Sequence, residues 1–202
     1  MSGPMPVVSA EVSVVPAGRA GDTALVAEIT DLVNQVYAAA EAGLWRDGAE
    51  RTTHAEVASM IASEQIAVAR VRNQLVGTIR IQQLASGDGD LGMLVTAPHV
   101  RGTGVGRELV AFAERLSRER GCLHMQLELL VPRSWTHPFK EFLKGWYLRL
   151  GYQVVRVGTL DETYPALVPQ LATACDLLIL HKDLRGDHGA SGSTDGRPTR
   201  AV

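Results

Sequence analysis

The sequence predicts a mixed α/β sheet, with its elements in the order β, α, α, β, β, β, α, β, α, β, β. Three observations carry that prediction. Two strand-like runs at 65–71 and 75–84 flank the polar turn Arg72-Asn73-Gln74, which reads as an antiparallel hairpin. A strand over 90–96, a helix and a further strand over 125–131 form a unit that needs a parallel crossover. Between the first of these strands and its helix lies a turn with glycine at every second position, Gly102, Gly104 and Gly106.

Taken in order, residues 7–16 are rich in β-branched side chains and read as a first strand. The period then changes. Leu25, Ile29, Leu32, Val33, Val36, Tyr37 and Ala40 recur at steps of three and four, predicting a helix over 23–44 with Asp22 or Thr23 as cap. Thr53 and Glu56 fit a capping box opening a second helix that runs to Ser63. After the hairpin, in which Gly77 marks a bulge, the strand over 90–96 leads through the glycine turn into a helix. That helix buries Val105, Leu109, Phe112, Ala113 and Leu116 and ends at Gly121. Pro132 and Pro138 bracket an irregular run before a helix carrying Phe139, Phe142, Leu143, Trp146, Tyr147 and Leu150, stopped by Gly151. Strands over 152–160 and 176–182 enclose a partly helical connection.

With 202 residues and 46% hydrophobic content, the chain is long enough for one full core, expected over 7–185. A flexible start over 1–6 and a disordered, glycine- and serine-rich tail over 186–202 are expected around it. A net charge of −2 argues against nucleic-acid and anionic-membrane partners. Cys122 and Cys175 lack metal-ligand spacing and are expected to be reduced, buried thiols; no metal is expected. The N-terminus lacks a secretory pattern and no run reaches membrane-spanning length, so a cytoplasmic location is expected.

The glycine turn reads as an anion site. Glycines let the backbone approach a ligand closely, and the positive end of the following helix favours negative charge. The phosphate-loop pattern fails because no Lys-Ser or Lys-Thr pair follows, and the dinucleotide pattern fails because Arg107 stands where a third glycine is needed. What remains is Arg-x-x-Gly-x-Gly, at Arg101, Gly104 and Gly106. This resembles the signature of the GNAT acyltransferase superfamily. A second motif, Trp146-Tyr147-Leu148-Arg149-Leu150-Gly151-Tyr152, resembles the end of that superfamily's fourth helix. The resemblance implies a twisted, mostly antiparallel sheet of about seven strands flanked by about four helices. It implies acetyl-CoA as co-substrate and direct transfer of the acetyl group to a primary amine in a ternary complex, with a homodimer a common state. A non-catalytic CoA-binding module of the same fold is the alternative.

Residue by residue, the resemblance places the coenzyme along Leu94, Val95 and Thr96 and on Arg101, Gly102, Thr103, Gly104, Val105 and Gly106, with Lys140 where many relatives carry an asparagine. It makes Tyr147 the donor of a proton to the departing thiolate. A phenol suits that role because its ordinary pKa of about 10 lies near a thiol's of about 8.5. Asp90 falls where some relatives carry a general base, and Glu128 on the neighbouring strand is the second candidate. Trp45, Arg51, His137 and Tyr164 are the candidate contacts to a small-molecule or peptide amine.

Overall fold

A computed structural model describes residues 9–185. The expectations for 1–6 and 186–202 lie outside the described residues, as does the start of the first predicted strand. The chain forms β1 (Glu11–Val14), α1 (Thr23–Ala40), α2 (His54–Ala62), β2 (Ile66–Val71), β3 (Gln74–Gln83), β4 (Gly89–Thr96), α3 (Val105–Glu119), β5 (His124–Pro132), α4 (Pro138–Arg149), β6 (Gln153–Gly158), α5 (Leu160–Thr163) and β7 (Cys175–Asp183). The seven strands make one sheet in the order β1-β2-β3-β4-β5-β7-β6. Only the β4–β5 pair is parallel.

Local chemistry accounts for most boundaries. The Asp22 carboxylate accepts from the Leu25 N–H and opens α1, and Thr53 with Glu56 forms the expected capping box of α2. Arg72 and Asn73 both take left-handed backbone angles, giving a two-residue hairpin turn. The first helix stops at Ala40, four residues short of the prediction. Glu41 leaves the helix with its carboxylate turned inward, and Gly43 at φ 82° turns the chain.

Helices cover both faces of the sheet. Ile29 and Val33 of α1 and Val57 and Ile61 of α2 pack with Ile66 and Val68 of β2 on one face. Val105, Leu109 and Ala113 of α3 pack with Ala67, Ala69 and Ile79 on the other. Glu114 and Ser117 join the buried side of α3, and the Glu114 carboxylate accepts from Tyr152 Oη at 3.0 Å and Lys182 Nζ at 2.7 Å. Phe112 and Leu116 are only half-buried. Both cysteines are buried free thiols.

Gly77 does lie beside a register shift between β2 and β3. Its stronger reason is space. A Cβ there would sit 2.9 Å from the Val95 carbonyl oxygen and 3.0 Å from Leu109 Cδ1. Gly77→Ala is therefore expected to cost about 1–3 kcal/mol in urea unfolding. Gly18→Ala, whose Cβ would meet nothing within 4 Å, should leave the midpoint nearly unchanged.

Candidate active site

The site begins with a break in the sheet. β4 and β5 pair only at Gly89–Met125, Asp90–Gln126 and Leu91–Leu127. Beyond that point β4 stays paired to β3 as far as Thr96, and β5 stays paired to β7 as far as Pro132, so the two strands separate without either fraying. The β3–β4 register also slips, because Thr78 faces Val95 while Arg80 faces Gly92. The extra residue lies in β4, and Met93 adopts φ 48° there.

That bulge exchanges the two faces of β4. Leu91 packs with the α3 cluster, whereas Met93 and Val95 pack with the α1–α2 cluster. Leu94 and Thr96 therefore face α3. The β5-facing backbone groups of β4 after Leu91 have no strand partner, and they line a cleft of about 920 Å³ that passes between the strands.

At one end of this cleft is the glycine turn. Gly102 and Gly104 take φ of 80° and 103°, a conformation that side chains disfavour. Gly104 is the N-cap of α3, and no side chain caps that helix, so the first-turn N–H groups of Val105, Gly106 and Arg107 point outward at its positive end. Arg101 is exposed and lies over the Phe139 ring at 5.9 Å. Arg101, Gly102, Gly104, Val105 and Gly106 all line the cleft. These features fit a diphosphate: free backbone donors, a helix N-terminus and an adjacent guanidinium. Thr103 does not share that lining. Its side chain is buried and its hydroxyl donates to the Val100 carbonyl at 2.7 Å, bracing the turn from within.

At the other end, on the α1–α2 face, sit the carboxylates. Asp90 accepts from Gln82 Nε2 at 2.9 Å. Burial, aided by the nearby Glu128 charge, pushes its carboxyl up to about 6 against the pull of the Gln82 hydrogen bond, Arg80 and Gln126. Glu128 accepts from Tyr164 Oη at 2.8 Å. Arg80 is held in turn by Gln65 and Gln82. Tyr147 also lines the cleft, and burial raises its phenol, keeping it protonated across the working pH range. Trp45, Arg51 and Tyr164 line the outer wall.

Lys140 lines the cleft, whereas His137 does not. Lys140 is buried on α4 and its ammonium is bound to Glu41, with the two side chains 5% and 8% exposed. The same carboxylate accepts from Trp45 Nε1 at 2.5 Å. A lysine so committed braces α4 against the end of α1. His137 lies outside the cleft. Pro138 starts α4 immediately after it, and its ring stacks on Trp135 with centroids 5.3 Å apart beside a separate cavity of about 360 Å³. Sequence reasoning missed the structural role of Glu41, the Gln82 and Arg80 support of Asp90, and the Met93 bulge, for which Gly92 was the one local signal.

Residues 62–154 match the family described as the acetyltransferase (GNAT) domain. That segment, a little under half of the chain, is what carries the likeness to a GNAT acetyltransferase domain. No curated protein sequence matches it. Among solved structures it is similar to yncA from Salmonella typhimurium, solved with acetyl-CoA, at 15% identity and a TM-score of 0.62, covering 92% of this chain and 99% of that one. An aminoglycoside 6'-N-acetyltransferase complexed with coenzyme A matches at 18% identity and 0.61, covering 82% and 94%. Ard1 from Thermoplasma volcanium matches at 15% and 0.59, covering 87% and 98%. The chain spans 61% of the length of a Bacillus anthracis protein solved with acetyl coenzyme A. The likenesses to yncA, the aminoglycoside 6'-N-acetyltransferase and Ard1 show the fold, a seven-stranded, mostly antiparallel sheet with one parallel pair among the described residues. No helix among the described residues is long and apolar enough to cross a membrane, and no metal-binding group of three His, Cys, Asp or Glu side chains occurs among them.

The ion pair supplies a direct test of the placement of Lys140. Lys140→Met strands Glu41 as a buried, unpaired carboxylate and should cost about 3–5 kcal/mol in chemical denaturation. Combining it with Glu41→Leu should restore most of that loss. A Lys140→Met protein with unchanged stability and weakened coenzyme A binding would return the lysine to the coenzyme.

Proposed function

We propose that this protein is a GNAT-family N-acetyltransferase that moves an acetyl group from acetyl-CoA to a primary amine by direct attack in a ternary complex. One observation carries the reading: the gap between β4 and β5 opens a single cleft lined by an anion-binding turn, by an acidic pair and by Tyr147. The turn from Arg101 to Gly106 holds the diphosphate. The free backbone of Leu94, Val95 and Thr96 pairs with the extended arm as a neighbouring strand would, and an N–H there polarises the thioester carbonyl. Acetyl-CoA supplies the activated acyl group when bound.

The remaining roles are proton transfers. An ammonium is not a nucleophile, so one proton must leave the acceptor before attack. Asp90 is the better placed base, because a carboxyl pushed up to about 6 holds a proton more firmly than an ordinary aspartate while being ionised at neutral pH. Glu128 is the second candidate and is held by Tyr164. Tyr147 donates a proton from its Oη to the departing thiolate. Burial keeps that phenol protonated but also makes it a weaker acid than an ordinary tyrosine, so the proton has to move as the C–S bond breaks rather than before it.

The first test is release of free thiol from acetyl-CoA across a panel of primary amines. Binding of coenzyme A with no thiol release for any amine would favour the non-catalytic module. Given an active acceptor, Tyr147→Phe should lower kcat by about 10²-fold with little change in coenzyme affinity; unchanged turnover removes the role. The base has a signed pH dependence. It works ionised, so kcat/KM should rise with pH through about 6, and Asp90→Asn should abolish that limb along with most activity. A limb that survives in Asp90→Asn transfers the role to Glu128.

A further inference from the structure

The outer half of the cleft carries a charge arrangement that transfer to an amine does not by itself require. Arg51 lies over the Tyr37 ring, its guanidinium carbon 5.0 Å from the centroid, and its side chain opens into the cleft. No carboxylate among the described residues lies within ion-pair distance of it. The nearest negative group on that wall, Glu41, is already saturated by Lys140 and the Trp45 indole. Arg51 is exposed at this wall, so its guanidinium keeps its charge in contact with water and is open to an anionic group entering the cleft.

Arg51 is also linked in space to the base. Arg51 and Tyr164 both line the cleft, Tyr164 donates to Glu128, and Glu128 lies close enough to Asp90 to disfavour its ionisation. The wall thus presents a positive pole at Arg51 and a negative pole at Glu128 and Asp90, joined by one tyrosine. A zwitterion would match both. Its ammonium would face the acidic pair that must deprotonate it, and its carboxylate would meet the guanidinium fork in the two-pronged geometry that arginine favours.

We infer that the acceptor is a small amine that also carries a carboxylate, an amino acid in the broad sense, with Arg51 as the residue that selects it. This rests on the acetyltransferase reading and names the substrate class of that site. A neutral amine or a polyamine would leave Arg51 unmatched or repelled, which gives the wall its discrimination as well as its affinity.

The test compares acids with their amides: leucine with leucinamide, lysine with lysinamide, and β-alanine with β-alaninamide, followed by thiol release from acetyl-CoA. The wild type should favour at least one acid over its amide by about tenfold or more in kcat/KM. In Arg51→Gln that ratio should fall toward one, and Arg51→Lys should restore part of it. Equal or better use of the amides by the wild type overturns the inference while leaving the acetyltransferase reading intact. Thiol release from other amines of the panel but from none of these acids also overturns the inference, whereas coenzyme A binding with no thiol release from any amine makes the acetyltransferase reading fail instead. Calorimetry of each acid and amide on the coenzyme-A-saturated protein then decides the acceptor class alone: acid-selective binding lost in Arg51→Gln sustains it, and absence of selectivity sinks it.

Discussion

Everything at this site depends on where β4 and β5 stop pairing. A sheet interior normally satisfies every backbone N–H and C=O, and leaving such groups unpaired away from water is costly. Here the parallel ladder ends at Leu91 and Leu127 although both strands continue. The separation survives because each strand remains tied on its other side, β4 to β3 and β5 along its whole length to β7. The left-handed Met93 is the second part of the device. A methionine at φ 48° costs free energy that its burial among α1–α2 residues must offset, and the exchange of faces it produces sends Asp90 and Leu94 to opposite sides of the sheet. One bulge therefore both opens the gap and assigns each rim its chemistry.

The charges around the gap are arranged so that few are left without compensation. Glu41 and Lys140 neutralise each other in a setting where either alone would be strongly destabilising. Asp90 is treated differently. It receives one amide hydrogen bond and a more distant arginine, enough to keep it in place but not enough to return its carboxyl to an ordinary value. A fully paired aspartate would be a poor base and an unsupported one would stay protonated. The Gln82 and Arg80 arrangement sets it between those limits, which ties the acid–base behaviour of the site to the register of β3 against β4.

What the sequence disclosed follows the range over which each feature is determined. The Thr53 and Glu56 capping box, the Arg72-Asn73 turn and the glycine turn are local, and their residue types nearly dictate their geometry. Tyr147 is a candidate from its spacing to Gly151, and it does line the cleft, while the order of elements along the chain follows from the alternation of periods. The ion pair between Glu41 and Lys140 spans 99 residues and carries no local trace, so a lysine placed by motif alignment looked free when the fold had committed it. The setting of His137 is hidden for a similar reason. Its loop is fixed by prolines, but the direction of the ring is set by Trp135 and by the start of α4. The end of the β4–β5 ladder was hidden too, since the runs 90–96 and 125–131 both read as ordinary buried strands.

The start of α3 shows why such departures from good structural practice gather in one place. A helix of 15 residues with no other demand on it would gain about 1 kcal/mol from serine, aspartate or asparagine at its N-cap. Gly104 forgoes that gain, and its φ of 103° excludes a capping side chain at little strain. The N–H groups left free are the ones that face the cleft. The broken ladder, the raised carboxyl of Asp90 and the unmatched Arg51 face the same space. Independent packing faults would be scattered over the molecule, whereas four concessions converging on one cavity are what a binding site requires, because a group satisfied within the fold has nothing left to offer a ligand.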